Sequence, residues 1–396
     1  MSEEPPPARR PGLLRPMTAR GRAEEHRTAT PLELFFDLCF VVAVAQAGRQ
    51  LVHALAEGHT GHGVVGYLMV FFAVWLAWMN FTWFASAYDT DDVLYRVVTL
   101  VQIAGVLILA AGIPRGFDRG DFRVIWFGYL VMRVAMTSQW LRAAHSARGP
   151  ERRTALRYAA GVALCQVGWL GLLFLPGHAK PWLFLGMALL EVSVPLYAER
   201  SRPTGWHPHH IAERYGLFLI IVLGETVAAA TVAVQSGVDE HEAVGSLLPI
   251  AGGGLLLIFA AYWIYFAAPI HLHLASNRQA FVWGYGHYVV FGSAAAIGAG
   301  IEVAIEQATG KAHISALGAA STVTVPTALF MLSVWLVHSR HYKRGPAQQL
   351  TLPVSALAVL ACTFAGDAAV LLAGLVAAAT VAVGVSLAGS ASERSG

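Results

Sequence analysis

Glu33 and Asp37 stand four residues apart, so a helix sets their carboxylates on one face, an arrangement suited to holding a proton or a cation. The same residues also read as a helix start. Thr30-Pro31-Leu32-Glu33 supplies a capping hydroxyl, a proline at the first helical position and an acid at the third, where it favours the helix dipole. A denser constellation is His207, His209, His210, Glu213 and Arg214, followed by Gly224-Glu225. His210, Glu213 and Arg214 share one helical face. Arg214 and Glu225 are eleven residues apart, about 20° from alignment, and so lie on one stripe some three turns apart. Glu225 has no basic neighbour on its own segment, and Arg133, the deepest arginine of the chain, is its expected partner. Such a pair is either a functional site or a lock between helices. His207, His209, His210 and Glu213 could alternatively hold a metal such as zinc. Asp89, Asp91 and Asp92 could hold Mg²⁺ at the membrane surface, or form a solvated acidic loop that caps the next helix.

The elements that position these residues are set by composition. Of 396 residues, 56% are hydrophobic and 13% charged, about half the usual charged share. That excludes a disordered, collagen-like or coiled-coil chain. A net charge of +3 without a continuous basic face argues against nucleic-acid binding. The expected fold is an all-α, polytopic bundle of about twelve spans, near 32–55, 63–87, 93–113, 122–144, 154–175, 181–198, 211–235, 244–270, 280–305, 313–338, 350–365 and 367–389. Only Ala365 and Gly366 separate the last two. In lipid an ionisable group needs a partner or a water-filled cavity. Glu33, Asp37, Arg49, Arg133, Glu191, Glu213, Arg214, Glu225, His287, Glu302 and Glu306 are the groups inside the apolar runs that must find one.

With the N-terminus cytoplasmic, only Arg115, Arg119, Arg123, Lys180 and Lys311 fall in outer loops, while most other basic residues fall inside. The expected location is therefore the bacterial cytoplasmic (inner) membrane, with both termini cytoplasmic. Trp75, Trp78, Trp83, Trp126, Trp182 and Trp283 are expected as an interfacial aromatic belt. Residues 1–30 read as a flexible basic tail without a cleavable leader, and Ser390–Gly396 as a polar tail. Cys39, Cys165 and Cys362 lie in apolar runs, as small hydrophobes. Glu33 to Glu213 and Trp83 to Tyr265 recur at offsets of 180 and 182, which suggests two parallel six-span halves, 31–200 and 201–389. Gly252-Gly253-Gly254 and Gly292, Ala296 and Gly300 are expected at close helix–helix contacts.

Thr30-Pro31-Leu32-Glu33-Leu34-Phe35-Phe36-Asp37-Leu38-Cys39-Phe40-Val41 resembles the opening motif of the bacterial low temperature requirement A family. Trp78 to Trp83, Asp89-Thr90-Asp91-Asp92, Tyr129 to Arg133, His210 to Phe218 with Leu223-Gly224-Glu225, and Tyr285-Gly286-His287 resemble its later segments in order. Cys39, where the pattern has Val, and Met79-Asn80 depart from it. The resemblance implies a multi-spanning bacterial membrane protein and ranks Glu33, Asp37, Arg133, His210, Glu213, Arg214, Glu225 and His287 as functional positions, without implying a substrate or reaction. The expected function is a transporter or channel-like protein for protons, a cation or a small solute, with Asp37 and Glu225 as titrating acids and Arg133 and Arg214 as charge partners. No cofactor is expected. The alternatives are a membrane-embedded enzyme acting on lipid or isoprenoid headgroups, with a metal held by Asp89, Asp91, Asp92 and His210, and a structural or regulatory membrane stress protein.

Overall fold

Thr30 starts the first helix as its sequence requires: its side chain accepts from the Glu33 amide while the Glu33 carboxylate accepts from the Thr30 amide, with Pro31 at the first position. The computed structural model describes residues 13–21, 27–239, 244–274, 276–343 and 345–393, and every regular element among them is helical. The helices are α1 (Pro31–Ala56), α2 (Thr60–Tyr88), α3 (Val93–Arg119), α4 (Arg123–Ser146), α5 (Gly149–Leu170), α6 (Lys180–Ala198), α7 (Pro208–Asp239), α8 (Val244–Tyr265), α9 (Asn277–Ala308) and α10 (Ala316–Val334). A π-helical stretch, Trp335–Ser339, joins α10 to a single turn, α11 (Arg340–Tyr342). Then come α12 (Pro346–Cys362) and α13 (Ala369–Glu393).

Among the described residues ten stretches are long and apolar enough to cross a membrane. The stretch Pro346–Gly389 contains α12 and all but the last turn of α13. It is broken at Gly366, whose φ of 58° lies in the left-handed region, and the two helices pack against each other. The helix α4, which carries Arg123, Arg133 and Arg142, is not among the ten. Large apolar side chains cover the outside of the bundle, Leu164, Val167, Phe174 and Trp182 among them, as a lipid-facing surface demands.

Helix α1 lies at the centre, packed by α2, α3, α7 and α9. Glycines bring other neighbours close. A Cβ on Gly253 would overlap the α13 backbone at Val370, and one on Gly300 the Thr322 carbonyl of α10. These are two of the contacts expected from the sequence. A tight approach of α3 to α4 through Gly105 and Gly128 was not anticipated.

Two expectations need correction. Trp75, Trp78 and Trp283 are fully buried, so they are core and not belt, whereas Trp182 is 76% exposed and suits an interface. Residues 13–21 and 27–30, assigned by composition to a flexible tail, are laid across one end of the bundle. Met17 is 1% exposed, and its amide donates to the Ser146 hydroxyl (3.0 Å). The Arg15 amide donates to Asp92 (2.8 Å) and the Arg20 amide to the Ala87 carbonyl (2.9 Å). Arg27 donates to the carbonyls of Ala85 and Ser86 at the end of α2. Residues 1–12, 22–26 and 394–396 of the two tails lie outside the described residues.

Candidate functional site

Asp37 lies one turn beyond Glu33 on α1, and both face Arg214 of α7. The Arg214 guanidinium forks onto Asp37, with Nε donating to Oδ2 at 2.9 Å and Nη2 to Oδ1 at 2.5 Å. Its Nη1 sits 2.9 Å from Glu33 Oε1. His210, one turn before Arg214, places Nε2 3.1 Å from the same oxygen. From α2, the Trp78 indole N–H donates to Asp37 Oδ1 (2.6 Å). Glu33, Asp37, His210, Arg214 and Trp78 are all at most 1% exposed. A bidentate arginine in so dry a site is worth far more than a surface pair, and correspondingly costly to break. The knot joins two carboxylates to one guanidinium, so contacting acids outnumber fixed cations by one. His210 Nδ1 and the Tyr95 hydroxyl are buried without a hydrogen-bond partner among the described residues. Glu213 points elsewhere, accepting from the Ala29 amide (3.1 Å) and tying the N-terminal segment to α7.

Arg133 does not meet Glu225. It pairs with Glu191 of α6, and both are 3% exposed. The Tyr129 hydroxyl lies 3.1 and 3.0 Å from the two Glu191 oxygens, and the Trp169 indole donates to Oε2 (2.9 Å). Arg133 also donates to Tyr129. The result is a one-to-one ion pair shared among α4, α5 and α6. Helical periodicity placed His210 with Arg214 on one face of α7, but wrongly added Glu213 to it and could not say which neighbouring helix that face meets.

Glu225 instead lines a cavity of about 260 Å³ between α1, α7 and α9, together with Arg49, Thr226 and Glu302. Arg49 and Glu225 approach to 3.9 Å with half-exposed side chains. The cavity and the Glu33–Asp37–Arg214 knot therefore share α1 and α7. Between them lies an aromatic layer. Phe218 of α7 sits 4.4 Å from Trp78 and 5.0 Å from Phe291 of α9, ring centre to ring centre. Asp37 to Val44 and Arg214 to Val222 span roughly 10–12 Å of helix.

His287 of α9 belongs to a third buried group. Its Nδ1 lies 2.7 Å from the Trp283 carbonyl, which can only accept, so neutral His287 carries its proton there. Its Nε2 then faces the Tyr265 hydroxyl (2.9 Å) and His338 Nε2 (3.3 Å). The Trp283 indole N–H donates to that same His338 nitrogen (3.1 Å). Tyr215, next to Arg214, stands edge-on to His287 at 4.8 Å and links this group to the knot.

The weaker metal candidates do not converge. Asp91 pairs with Arg96 (2.8 Å), and Asp92 caps α3 through Tyr95 N (2.8 Å) and binds Arg142. Asp89 faces Arg20 (3.5 Å). Burial, with the Glu33 charge adding to it, pushes the Asp89 carboxyl up to about 6, against Arg27 and Arg20. Burial would raise the Asp92 carboxyl, but the Arg142 guanidinium and the Tyr95 and Arg15 amides, all donating to it, outweigh that and hold it below the usual carboxylate range. The His207 amide donates to the Ser86 hydroxyl (3.0 Å), and His209 packs on His271 at 5.0 Å. Among the described residues no three histidine, cysteine or acidic side chains gather as a metal site.

Sequence reasoning missed Trp78, Tyr265 and His338. His338 lies in an apolar run and meets the same criterion that singled out His287. The π-helical turn that aims it inward has no comparable sequence signal, although such turns often mark functional positions. In comparison with known proteins, residues 28–385 match the family model described as "Bacterial low temperature requirement A protein (LtrA)". An uncharacterized protein, RA0937, of Rhizobium meliloti (strain 1021) is 27% identical over 203 residues, covering 49% of this chain. The chain spans about half the length of that relative, 48% of it.

Proposed function

The chain belongs to the bacterial low temperature requirement A family, and on that footing we propose that it is a multi-pass transporter or channel-like protein for protons, a cation or a small solute. Twelve crossings follow if α4 and the α12–α13 hairpin are counted as spans. An even count keeps both termini on the cytoplasmic side of the inner membrane, with most of the basic loops. Two parallel halves, 31–200 and 201–389, fit the side-by-side packing of α1 and α7.

One observation carries this reading. Two of the helices that line the cavity, α1 and α7, also hold the acid-rich knot, and the Trp78–Phe218–Phe291 layer lies between the two. An ion or solute entering the cavity meets Glu225, Glu302 and Arg49 first. Passage to Asp37 and Glu33 requires the aromatic layer to part. The extra carboxylate of the knot gives a proton or cation a reason to stop there, and His210 stands within reach to exchange a proton with Glu33. The experiment is flux into proteoliposomes under a pH gradient or with candidate cations. Glu225→Gln and Asp37→Asn, each purified and folded, are expected to lower flux at least tenfold and to change its pH dependence. Unchanged flux and unchanged pH dependence in both variants would overturn the reading.

The Arg133–Glu191 pair favours a second, purely structural use for that part of the bundle. A volume-matched neutral replacement of both residues is expected to leave flux intact.

A further inference from the structure

The cavity between α1, α7 and α9 takes one charged side chain from each helix, Arg49, Glu225 and Glu302. At about 260 Å³ it is far larger than a single water molecule needs. Arg49 and Glu302 lie about two turns before the carboxyl-terminal ends of α1 and α9. On the topology proposed above, those ends face outward. The rest of the wall is small or apolar, with Val44 and Gly48 on the α1 side and Val222 on the α7 side. A Cβ on Gly48 would meet nothing within 4 Å, so the α1 side is open for want of a side chain.

The three charged groups are loosely matched. Arg49 donates from Nε (3.2 Å) and Nη2 (2.5 Å) to the neutral Gln46 side chain, and reaches Glu225 only through Nη1, at 3.9 Å. Among the described residues that long contact is the one ion pair within the lining. Glu302 faces the same space, and Glu306, a turn further along α9, stays outside the lining. The wall therefore offers two carboxyl groups and one guanidinium to whatever enters.

A solute that reverses this count carries two cationic groups and one carboxylate. A divalent metal ion would find too few oxygen ligands and be repelled by the guanidinium. A phosphate or a dicarboxylate would face both acids. A quaternary ammonium would find no ring to lean on, because none of the described lining residues is aromatic. Primary ammonium groups instead donate hydrogen bonds to carboxylates, and a carboxylate accepts from an arginine in charge-assisted pairs. Methylenes between those groups pack on Val44 and Val222. We propose that this cavity binds a basic α-amino acid with a side-chain ammonium group, its carboxylate toward Arg49 and its two ammonium groups toward Glu225 and Glu302. The inference deepens the transport reading, which makes this cavity the entry. It rests on that reading for the movement of the solute and not for its binding.

The test is titration calorimetry of the full chain in nanodiscs with L-lysine, with L-norleucine, which lacks the side-chain ammonium, and with cadaverine, which lacks the carboxylate. L-lysine is expected to bind at least tenfold more tightly than either. Glu302→Gln is expected to bring it down toward norleucine, and Arg49→Gln to bring it down toward cadaverine. Gly48→Leu fills the cavity without removing a charge, and is expected to weaken L-lysine binding at least tenfold. No binding of L-lysine, or norleucine or cadaverine binding as tightly, would overturn the proposal. Uptake into proteoliposomes is measured separately. Binding of L-lysine with no flux of any solute keeps the site and overturns the transport reading, whereas proton or cation flux without L-lysine binding keeps that reading and overturns the site.

Discussion

Arg214, in the second turn of α7, and Arg133, midway along α4, are both buried arginines, and each has a glutamate within ion-pair distance. Their surroundings differ in charge count. Arg133 faces one acid, Glu191, whose two oxygens are both engaged by Tyr129 and one also by Trp169. Arg214 faces two, Glu33 and Asp37, with a histidine against one of them and an indole against the other. A balanced pair can serve as helix glue and nothing more. An unbalanced one has to take up a positive charge from somewhere, and a membrane interior supplies none. The second arrangement also lies on helices that border a cavity of about 260 Å³ carrying Arg49, Glu225 and Glu302, whereas the cavity beside the first, lined by Tyr129 and Trp169, is about 40 Å³ and otherwise apolar.

The largest effects should come from the arginines themselves. Arg133→Met strands one buried carboxylate and is expected to cost about 3–5 kcal/mol. Arg214→Met strands two, and is expected to cost more, with a lower midpoint of thermal unfolding in detergent. Equal losses would mean that the charge imbalance is not felt. Adding Glu191→Leu to Arg133→Met should recover stability to within about 1 kcal/mol, because a neutral, well-packed pair has no charge left to desolvate. The corresponding repair at the knot, Arg214→Met with Asp37→Leu, is expected to recover part of the stability with flux still lost, and recovered flux in that variant would break the distinction between the two sites.

Next in size is the aromatic layer. Phe291→Leu removes a ring that packs on both Phe218 and Trp78 and is expected to cost about 1 kcal/mol. If the layer separates cavity from knot, the same change raises background flux through the protein. A variant with lower stability and unaltered flux would make Phe291 core packing alone.

What could be read in advance follows a physical boundary. Spacing along one helix placed Glu33 with Asp37 and His210 with Arg214, because the 3.6-residue period fixes side-chain direction within an element. The same arithmetic gave the capping box at Thr30 and the shared stripe of Arg214 and Glu225. It gave no azimuth between helices, so Arg133 was matched to Glu225 although Glu191, already noted as an in-span acid, stood closer in space. Trp78 was assigned to a belt because hydropathy cannot tell an indole that anchors at the interface from one whose N–H serves a buried acid. The packed course of residues 13–21 was illegible for a similar reason. Its contacts are backbone amides and single side chains such as Met17, which leave no periodic pattern.

That N-terminal segment provides the smallest effect and the finest test. Asp89, just past α2, is drawn up to about 6 mainly by burial, while an unfolded chain leaves it at an ordinary aspartate value. A raised folded value means that this group favours the fold at low pH, and that the benefit is lost as pH rises through about 6. Asp89→Asn mimics the protonated form. It should therefore be no more stable than the parent near pH 4, and more stable by about 1 kcal/mol at pH 7.5, after subtracting the Arg20 contact it gives up. Thermal midpoints of the two proteins across that range give the difference directly. Curves that stay parallel would mean that Asp89 ionises freely, and that the strap formed by residues 13–21 does not seal this end of the bundle against water as the knot at Arg214 is sealed.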